Sequence, residues 1–165
     1  MGRIAIVDQN LKLHITDVHG TNVVTVDALG QGQTWPVWSP SGERILFSSA
    51  SAGSNGRGHL GIYSWNVNDA STHLVYRNEL GTDAIAKRTP HYSQWSPNSF
   101  DFSFVAQTMD GGLSLFLGSV DPTEQPKRVL TGKPMFSSWS PNGAYLIVHS
   151  GFDHFLVDRE DGDQV

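Results

Sequence analysis

Seven histidines (His14, His19, His59, His73, His91, His149 and His154) are the most versatile side chains in this chain of 165 residues, and none forms a His-x-His or His-x-x-x-His pair. Zinc ligation needs such spacing, or cysteines, and the chain has no cysteine, so disulfides, thiol catalysis and Cys-ligated zinc are excluded. His149 and His154 flank one short hairpin and read as a surface pair. The acidic group Asp158, Glu160, Asp161 and Asp163 crowds a glycine turn but lacks the alternating aspartates and the bidentate glutamate of a calcium loop. No nucleophile elbow, P-loop, His-Glu-x-x-His or dinucleotide fingerprint occurs. The expectation is a non-enzyme with no cofactor and no metal.

Charged residues make up only 16 % of the chain, and Gly accounts for 17 positions. A net charge of −5 argues against a nucleic-acid partner, which needs a basic surface. No apolar run reaches the roughly 18 residues of a transmembrane helix, so membrane insertion is not expected. The first residues, MGRIAIVDQN, show neither an h-region nor a cleavage site. On that basis compartment stays open: cytoplasmic as the chain stands, periplasmic if it is part of something longer.

The elements that must position any site are set by a repeat. Three segments align without gaps: Thr34 to Gly42, His91 to Ser99, and Met135 to Gly143. Each carries Trp-Ser-Pro, with Trp38 and Pro40 in the first copy, Trp95 and Pro97 in the second, and Trp139 and Pro141 in the third. The tryptophans are 57 and 44 residues apart, and these six residues are expected to be structural. Pro cannot donate to a sheet ladder and disfavours helix in the residue before it, so Ser-Pro ends a strand. The Asn or Ser and Gly that follow make a tight turn, and a hydrophobic run comes next. A period of roughly 40–50 residues with strand patterning points to four-stranded propeller blades.

Labelling the strands of a blade A to D from the inside outward, the pattern gives fourteen strands. The first blade has B at Arg3–Val7, C at Leu11–Thr16 and D at Asn22–Val26. The second has A at Trp35–Trp38, B at Arg44–Ser49, C at Gly61–Asn66 and D at Thr72–Tyr76. The third has A at Tyr92–Trp95, B at Phe100–Gln107, C at Leu113–Ser119 and D at Lys127–Leu130. The fourth has A at Met135–Trp139, B at Ala144–His149 and C at Phe152–Val157. The expected fold is all-β, a partial β-propeller of about three and a half four-stranded antiparallel blades in one domain spanning 1–165. Its first blade lacks A and its last lacks D. Such a chain is expected either to belong to a longer propeller or to be completed by another chain, as in a homo-oligomer that closes the ring.

These residues resemble the TolB-type propeller repeat, a relative of the tryptophan-aspartate repeats. Leu13-His-Ile-Thr-Asp-Val-His-Gly-Thr-Asn22 matches the strand C and Asp-x-x-Gly part of that pattern. Trp38-Ser-Pro-Ser-Gly-Glu-Arg-Ile-Leu-Phe-Ser-Ser49 matches its Trp-Ser-Pro-Asp-Gly part. The usual Asp after Pro is replaced by Ser41, Asn98 or Asn142, and Ser99 stands at the turn glycine, all residues that keep turn chemistry. The resemblance implies a binding scaffold acting on a protein or peptide through a propeller face or open strand edges. The alternative it implies is a gating domain of a prolyl-oligopeptidase-like hydrolase. Relatives of this type hold a cation in the central channel, a role no residue here can be given.

Alternation of strand direction puts the B–C and D–A connections on one propeller face. The two long ones, Ser49–Leu60 and Arg77–His91, both come from the second blade and share that face. Long loops in compact folds often carry function, so the binding candidates are Arg57 and His59 on the first, with Glu79, Asp83, Lys87, Arg88 and His91 on the second. The competing reading is a neutral insertion. Trp35 and Trp65 could stack a sugar ring, although aromatic residues in such positions serve first as blade packing. Gly30-Gln-Gly-Gln-Thr-Trp35 echoes a sialidase Asp-box, but it lacks the Ser and Asp and falls in a D–A connection.

Overall fold

The computed structural model describes residues 2–26, 30–51, 59–78, 85–86, 89–132 and 135–165. Among the described residues there is no helix, and fourteen strands form four antiparallel sheets. The first blade contains β1 (Arg3–Val7), β2 (Leu13–Asp17) and β3 (Val24–Thr25). The second contains β4 (Gly30–Trp38), β5 (Arg44–Ser51), β6 (His59–Asn66) and β7 (Thr72–Arg77). The third contains β8 (Tyr92–Trp95), β9 (Asp101–Gln107), β10 (Leu113–Ser119) and β11 (Lys127–Thr131). The fourth contains β12 (Met135–Trp139), β13 (Tyr145–Ser150) and β14 (Asp153–Asp158). Each sheet pairs its strands in chain order, and no sheet closes on itself. The fold is a partial β-propeller, with two four-stranded blades between two three-stranded ones.

Several boundaries move from their sequence expectation. The strand expected at Trp35–Trp38 begins at Gly30, because backbone pairing with β5 continues through Gly30↔Ser51 and Gln31↔Ala50. The echo of an Asp-box therefore lies in a strand, not in a connection. β4 tolerates this length only through register shifts between Gln31 and Thr34 and between Thr34 and Val37. Such bulges let one strand carry extra residues against a regular partner. Phe152, expected in a strand, sits in the β13–β14 turn and is fully exposed.

Each Trp-Ser-Pro segment closes the same turn. The amides of Ser39, Ser96 and Ser140 donate to the carbonyls of Arg44, Asp101 and Tyr145 at 2.9, 2.9 and 2.8 Å. Gly42, Ser99 and Gly143 donate back to those serines' carbonyls at 2.9, 3.0 and 2.9 Å, and all three have positive φ. Pro40, Pro97 and Pro141 stand at the second turn position, where their fixed φ is needed, and the fourth position needs left-handed backbone.

Pro40, Pro97 and Pro141 are exposed and none belongs to a core cluster, whereas Trp95 is buried and Trp38 and Trp139 pack half-buried against the core. The physical reason is the turn itself, which projects past the end of the sheet and carries the pyrrolidine rings into solvent. Pro40, Pro97 and Pro141 therefore act on local backbone conformation, and the tryptophans pack against the preceding blade.

The core consists of three layers between blades. Side-chain alternation sends Ile45 and Phe47 of β5 toward the first blade, against Leu13, Ile15 and Val26. Leu46, between them, faces the third blade, where it meets Trp95, Phe102 and Phe104. Leu146 and Val148 of β13 pack likewise on Leu115 and Leu130 of the third blade. Phe104 stacks on Phe116 with ring centroids 4.9 Å apart. Burying such a side chain stabilises the fold by about 1.5–3 kcal/mol, and each layer contains several. Gln33 adds a polar staple: it is buried, and its Oε1 accepts from the amide of Leu13 on the first blade.

Candidate functional site

The residues singled out on the long connections have different fates. Arg57, Glu79, Asp83, Lys87 and Arg88 lie outside the described residues. His59 opens β6, pairs with Ser51 and is half-buried. His91 is only 1 % exposed, so its imidazole lies in the interior and not on a recognition surface.

The reason is a hydrogen-bond network that ties the D–A connection to two blades. His91 Nδ1 accepts from the Ser48 hydroxyl at 2.9 Å, and Nε2–H donates to Asn78 Oδ1 at 2.7 Å. The Asn78 amide group donates in turn to the carbonyls of Ala86 and Thr89 at 3.1 and 3.3 Å. Ile85 is fully buried and bridges Thr108, and the Ala86 amide donates to Gln107 at 2.9 Å. The ring of His91 sits edge-on to Tyr76 and Phe104. Burial lowers its pKa from 6.5 to about 3, so the ring is neutral at physiological pH.

Ser48, His91 and Asn78 have the composition of a nucleophile, a base and an orienting amide. Their burial decides against that role: Ser48 is 2 % exposed and Asn78 1 %, so no substrate carbonyl reaches the hydroxyl. The trio is a staple. Sequence reading missed it because its members lie 43 and 13 positions from His91, with no spacing motif to connect them.

Elsewhere, aspartates cap turns. Asp17 accepts from the amides of His19 and Thr21 at 2.9 Å, and from Asn22 Nδ2 at 2.8 Å. The Thr21 hydroxyl and these donors lower its pKa to about 2. The acidic group near the C-terminal turn is used the same way: Asp158 accepts from the Glu160 amide and Asp161 from that of Asp163. Among the described residues no cluster of three His, Asp or Glu could hold a metal ion. His149 and His154 face each other across β13 and β14, with rings stacked at 4.9 Å.

Two clefts recur at equivalent places between blades. One, of about 380 Å³, lies between the third and fourth and is lined by Phe102, Lys127, Trp139 and Glu160, with Arg159 paired to Asp101. The other, of about 350 Å³, lies between the first and second and is lined by Arg3, Asp17, Trp65 and Val67. The motif tryptophans differ in their polar ends. Trp95 Nε1 donates to the Val37 carbonyl of the preceding blade at 2.9 Å, while the buried Nε1 atoms of Trp38 and Trp139 have no acceptor among the described residues.

The two end sheets are the other distinctive surface. Pairing register makes Ile4 and Ile6 the counterparts of Ile45 and Phe47, of Phe102 and Phe104, and of Leu146 and Val148. The latter six are at most 1 % exposed, whereas Ile4 is 43 % and Ile6 47 % exposed. At the opposite end Ile147, counterpart of the buried Leu46, is 52 % exposed beside Phe136 and Leu156.

No protein-family model and no curated protein matches the sequence. Solved structures do. TolB from Acinetobacter baumannii superposes with a TM-score of 0.67 at 22 % identity, over 99 % of this chain and 40 % of that one. Dipeptidyl peptidase 4 from Porphyromonas gingivalis gives 0.66 at 13 % identity, over 99 % and 30 %. The β-propeller domain of the Trilobed protease from Pyrococcus furiosus, described as having an open velcro topology, gives 0.57 at 12 % identity, over 81 % and 41 %. The chain spans less than half the length of each of these structures. Its architecture is that of a TolB-type β-propeller.

Proposed function

We propose that this chain is a non-catalytic binding and assembly module that engages protein or peptide partners through a propeller face or the open edges of its end sheets. The observation that carries this reading is the exposure of Ile4, Ile6 and Ile147, at register positions whose counterparts are buried between blades. A sheet face of that composition is built to be covered, and an edge strand such as β1 can accept an added strand through its outer backbone groups. One such partner is a second copy of the chain, completing the ring. Light scattering on a size-exclusion column tests this: the expected mass exceeds 18.1 kDa, and Ile6→Asp with Ile147→Asp returns it to that value. A well-folded, strictly monomeric wild type overturns self-assembly.

A second reading, the gating domain of a prolyl-oligopeptidase-like hydrolase, draws its support from fold alone. The Pyrococcus horikoshii acylaminoacyl peptidase also superposes over 99 % of the chain, at 14 % identity. An α/β-hydrolase segment encoded next to this chain favours the second reading; further Trp-Ser-Pro repeats with no such segment favour the first.

A further inference from the structure

Counting back three residues from each motif tryptophan gives an aromatic side chain every time: Trp35, Tyr92 and Phe136. The tryptophans themselves pack toward the preceding blade. The residues three before them do the opposite, being 52 %, 53 % and 67 % exposed. All three lie on the first strand of a blade, β4, β8 or β12, which in a propeller runs along the central axis. β4 shows this placement directly, since it lies against β1 and β2 on one side and β8 on the other. Trp35 and Tyr92 meet across the blade boundary with ring centroids 5.1 Å apart, tilted by 59°.

Trp35 reaches this position against its backbone preference. It has φ +56°, a left-handed conformation unfavourable for a bulky residue, and it sits in the bulge of β4. Trp65, the other tryptophan with the right chemistry, is 4 % exposed and serves as packing. The fold therefore buries one and strains its backbone to present the other. Strain of this kind concentrates where a side chain is held for a ligand.

The composition of the wall selects the ligand. None of the residues of β4, β8 and β12 is Asp, Glu, Lys, Arg or His, so ionic groups find no counter-charge on these strands. Gln94, the polar group that shares a strand face with Tyr92, is neutral and exposed, whereas Phe136 stacks on His149 at the open face of the fourth sheet. A peptide adding as a strand needs a regular edge. β4 offers a bulged one containing Pro36, which has no amide hydrogen, and β8 is four residues long. Aromatic faces interleaved with amide and hydroxyl groups fit a pyranose, whose C–H face packs on a ring while its hydroxyls exchange hydrogen bonds with neutral partners.

We infer that the axial wall carrying Trp35 and Tyr92, with Gln94, is a binding site for an uncharged oligosaccharide. It goes beyond the protein-binding role, which rests on Ile4, Ile6 and Ile147 of the end sheets.

The test titrates the full chain with cellohexaose, chitohexaose and maltohexaose, with hexagalacturonate as the charged counterpart. Intrinsic tryptophan fluorescence and calorimetry give the readout. One neutral hexasaccharide should bind with Kd below about 1 mM, and Trp35→Ala or Tyr92→Ala should each weaken it about tenfold. Phe152→Ala, a fully exposed aromatic off the inner strands, should leave binding unchanged. Trp35→Gly removes the ring while relaxing the backbone, so loss of binding at an undiminished melting temperature separates recognition from unfolding. Three results would each overturn the site: no neutral hexasaccharide binding below about 1 mM, hexagalacturonate binding as tightly as the neutral sugars, or insensitivity to both alanine substitutions. A Trp-Gly-Trp-Gly-Trp peptide binding through Trp35 and Tyr92 where the sugars do not would make the wall a peptide site instead.

Discussion

The two ends of the second and third blades are built on different terms. At the Trp-Ser-Pro end, three copies of one short segment make the same two backbone hydrogen bonds within 0.1 Å of each other. At the opposite end one connection is held by groups with no counterpart in the motif: the buried trio of Ser48, His91 and Asn78, and Ile85 bridging Thr108. The first end depends on local turn chemistry, so a change there has a local cost. The second depends on groups far apart in sequence, so removing one strands the others in a dry interior.

The largest effect should therefore come from the irregular end. His91→Ala leaves the Asn78 side-chain carbonyl without its donor and the Ser48 hydroxyl with only the residue 91 amide as partner, and it opens a cavity, which should cost about 3 kcal/mol or more in urea unfolding. A loss under about 1 kcal/mol would mean that water fills the site and that the staple is dispensable.

The same residue should give a pH signature. Its folded pKa lies near 3 against 6.5 unfolded, so between those values the unfolded chain takes up a proton that the folded chain refuses. Stability should fall as pH drops below 6.5, by up to about 1.4 kcal/mol per pH unit from this residue, and level off below 3. His91→Gln should lose that slope. Unfolding midpoints measured from pH 6.5 to 4.5, above the carboxylate range, compare the two.

At the repetitive end the copies should separate by what surrounds their turn residue. A Cβ at Gly143 meets Ser96 Oγ at 2.8 Å and Pro97 Cδ at 3.5 Å, whereas one at Gly42 meets nothing within 4 Å. Both have φ near +70°. Gly42→Ala should cost about 1 kcal/mol from backbone strain alone, and Gly143→Ala about 2 kcal/mol, because the neighbouring blade must give way. Equal costs in thermal unfolding would show that the Ser96 hydroxyl rotates aside freely.

Ser99 sharpens the contrast further. It occupies the turn-glycine position at φ +60°, and its hydroxyl accepts from the Ser41 amide of the adjacent blade at 2.9 Å. Ser99→Gly trades that bond for relaxed backbone and should change stability by less than about 0.5 kcal/mol. Ser99→Ala loses the bond and keeps the strain, so it should be less stable than Ser99→Gly by about 1 kcal/mol. The smallest stability effect is expected from deleting residues 52–57, which should leave the melting temperature unchanged. Its proposed consequence is loss of partner capture.

The fold was legible because its determinants are local and repeated. Trp-Ser-Pro-x-Gly specifies strand end, turn and strand start within a handful of residues, and the flanking alternation sorts side chains between two neighbouring blades. β1, β8, β10 and β12 accordingly have the boundaries read from sequence. Within the motif, the strand-ending role of Pro40, Pro97 and Pro141 was legible, whereas how deeply each tryptophan is buried depends on the adjacent blade. β4 was harder, since Gly30 to Thr34 has turn composition and becomes strand only because β5 offers backbone partners. The site was less legible. His91 looked like a surface group among charged neighbours, and only packing against Tyr76 and Phe104 places it inside. Trp35 and Trp65 were equivalent by chemistry and opposite by burial.

By itself the sequence determined the all-β class, the blade period and the turn at each motif, because turn propensity and period-two alternation act between residues close in the chain. The tertiary structure decided which polar groups are staples, which aromatics face the axis and which sheet faces stay uncovered. Those properties depend on what the neighbouring blade brings across the gap, and the residues that meet there are separated by 43 positions in the case of Ser48 and His91, and by 57 in the case of Trp35 and Tyr92.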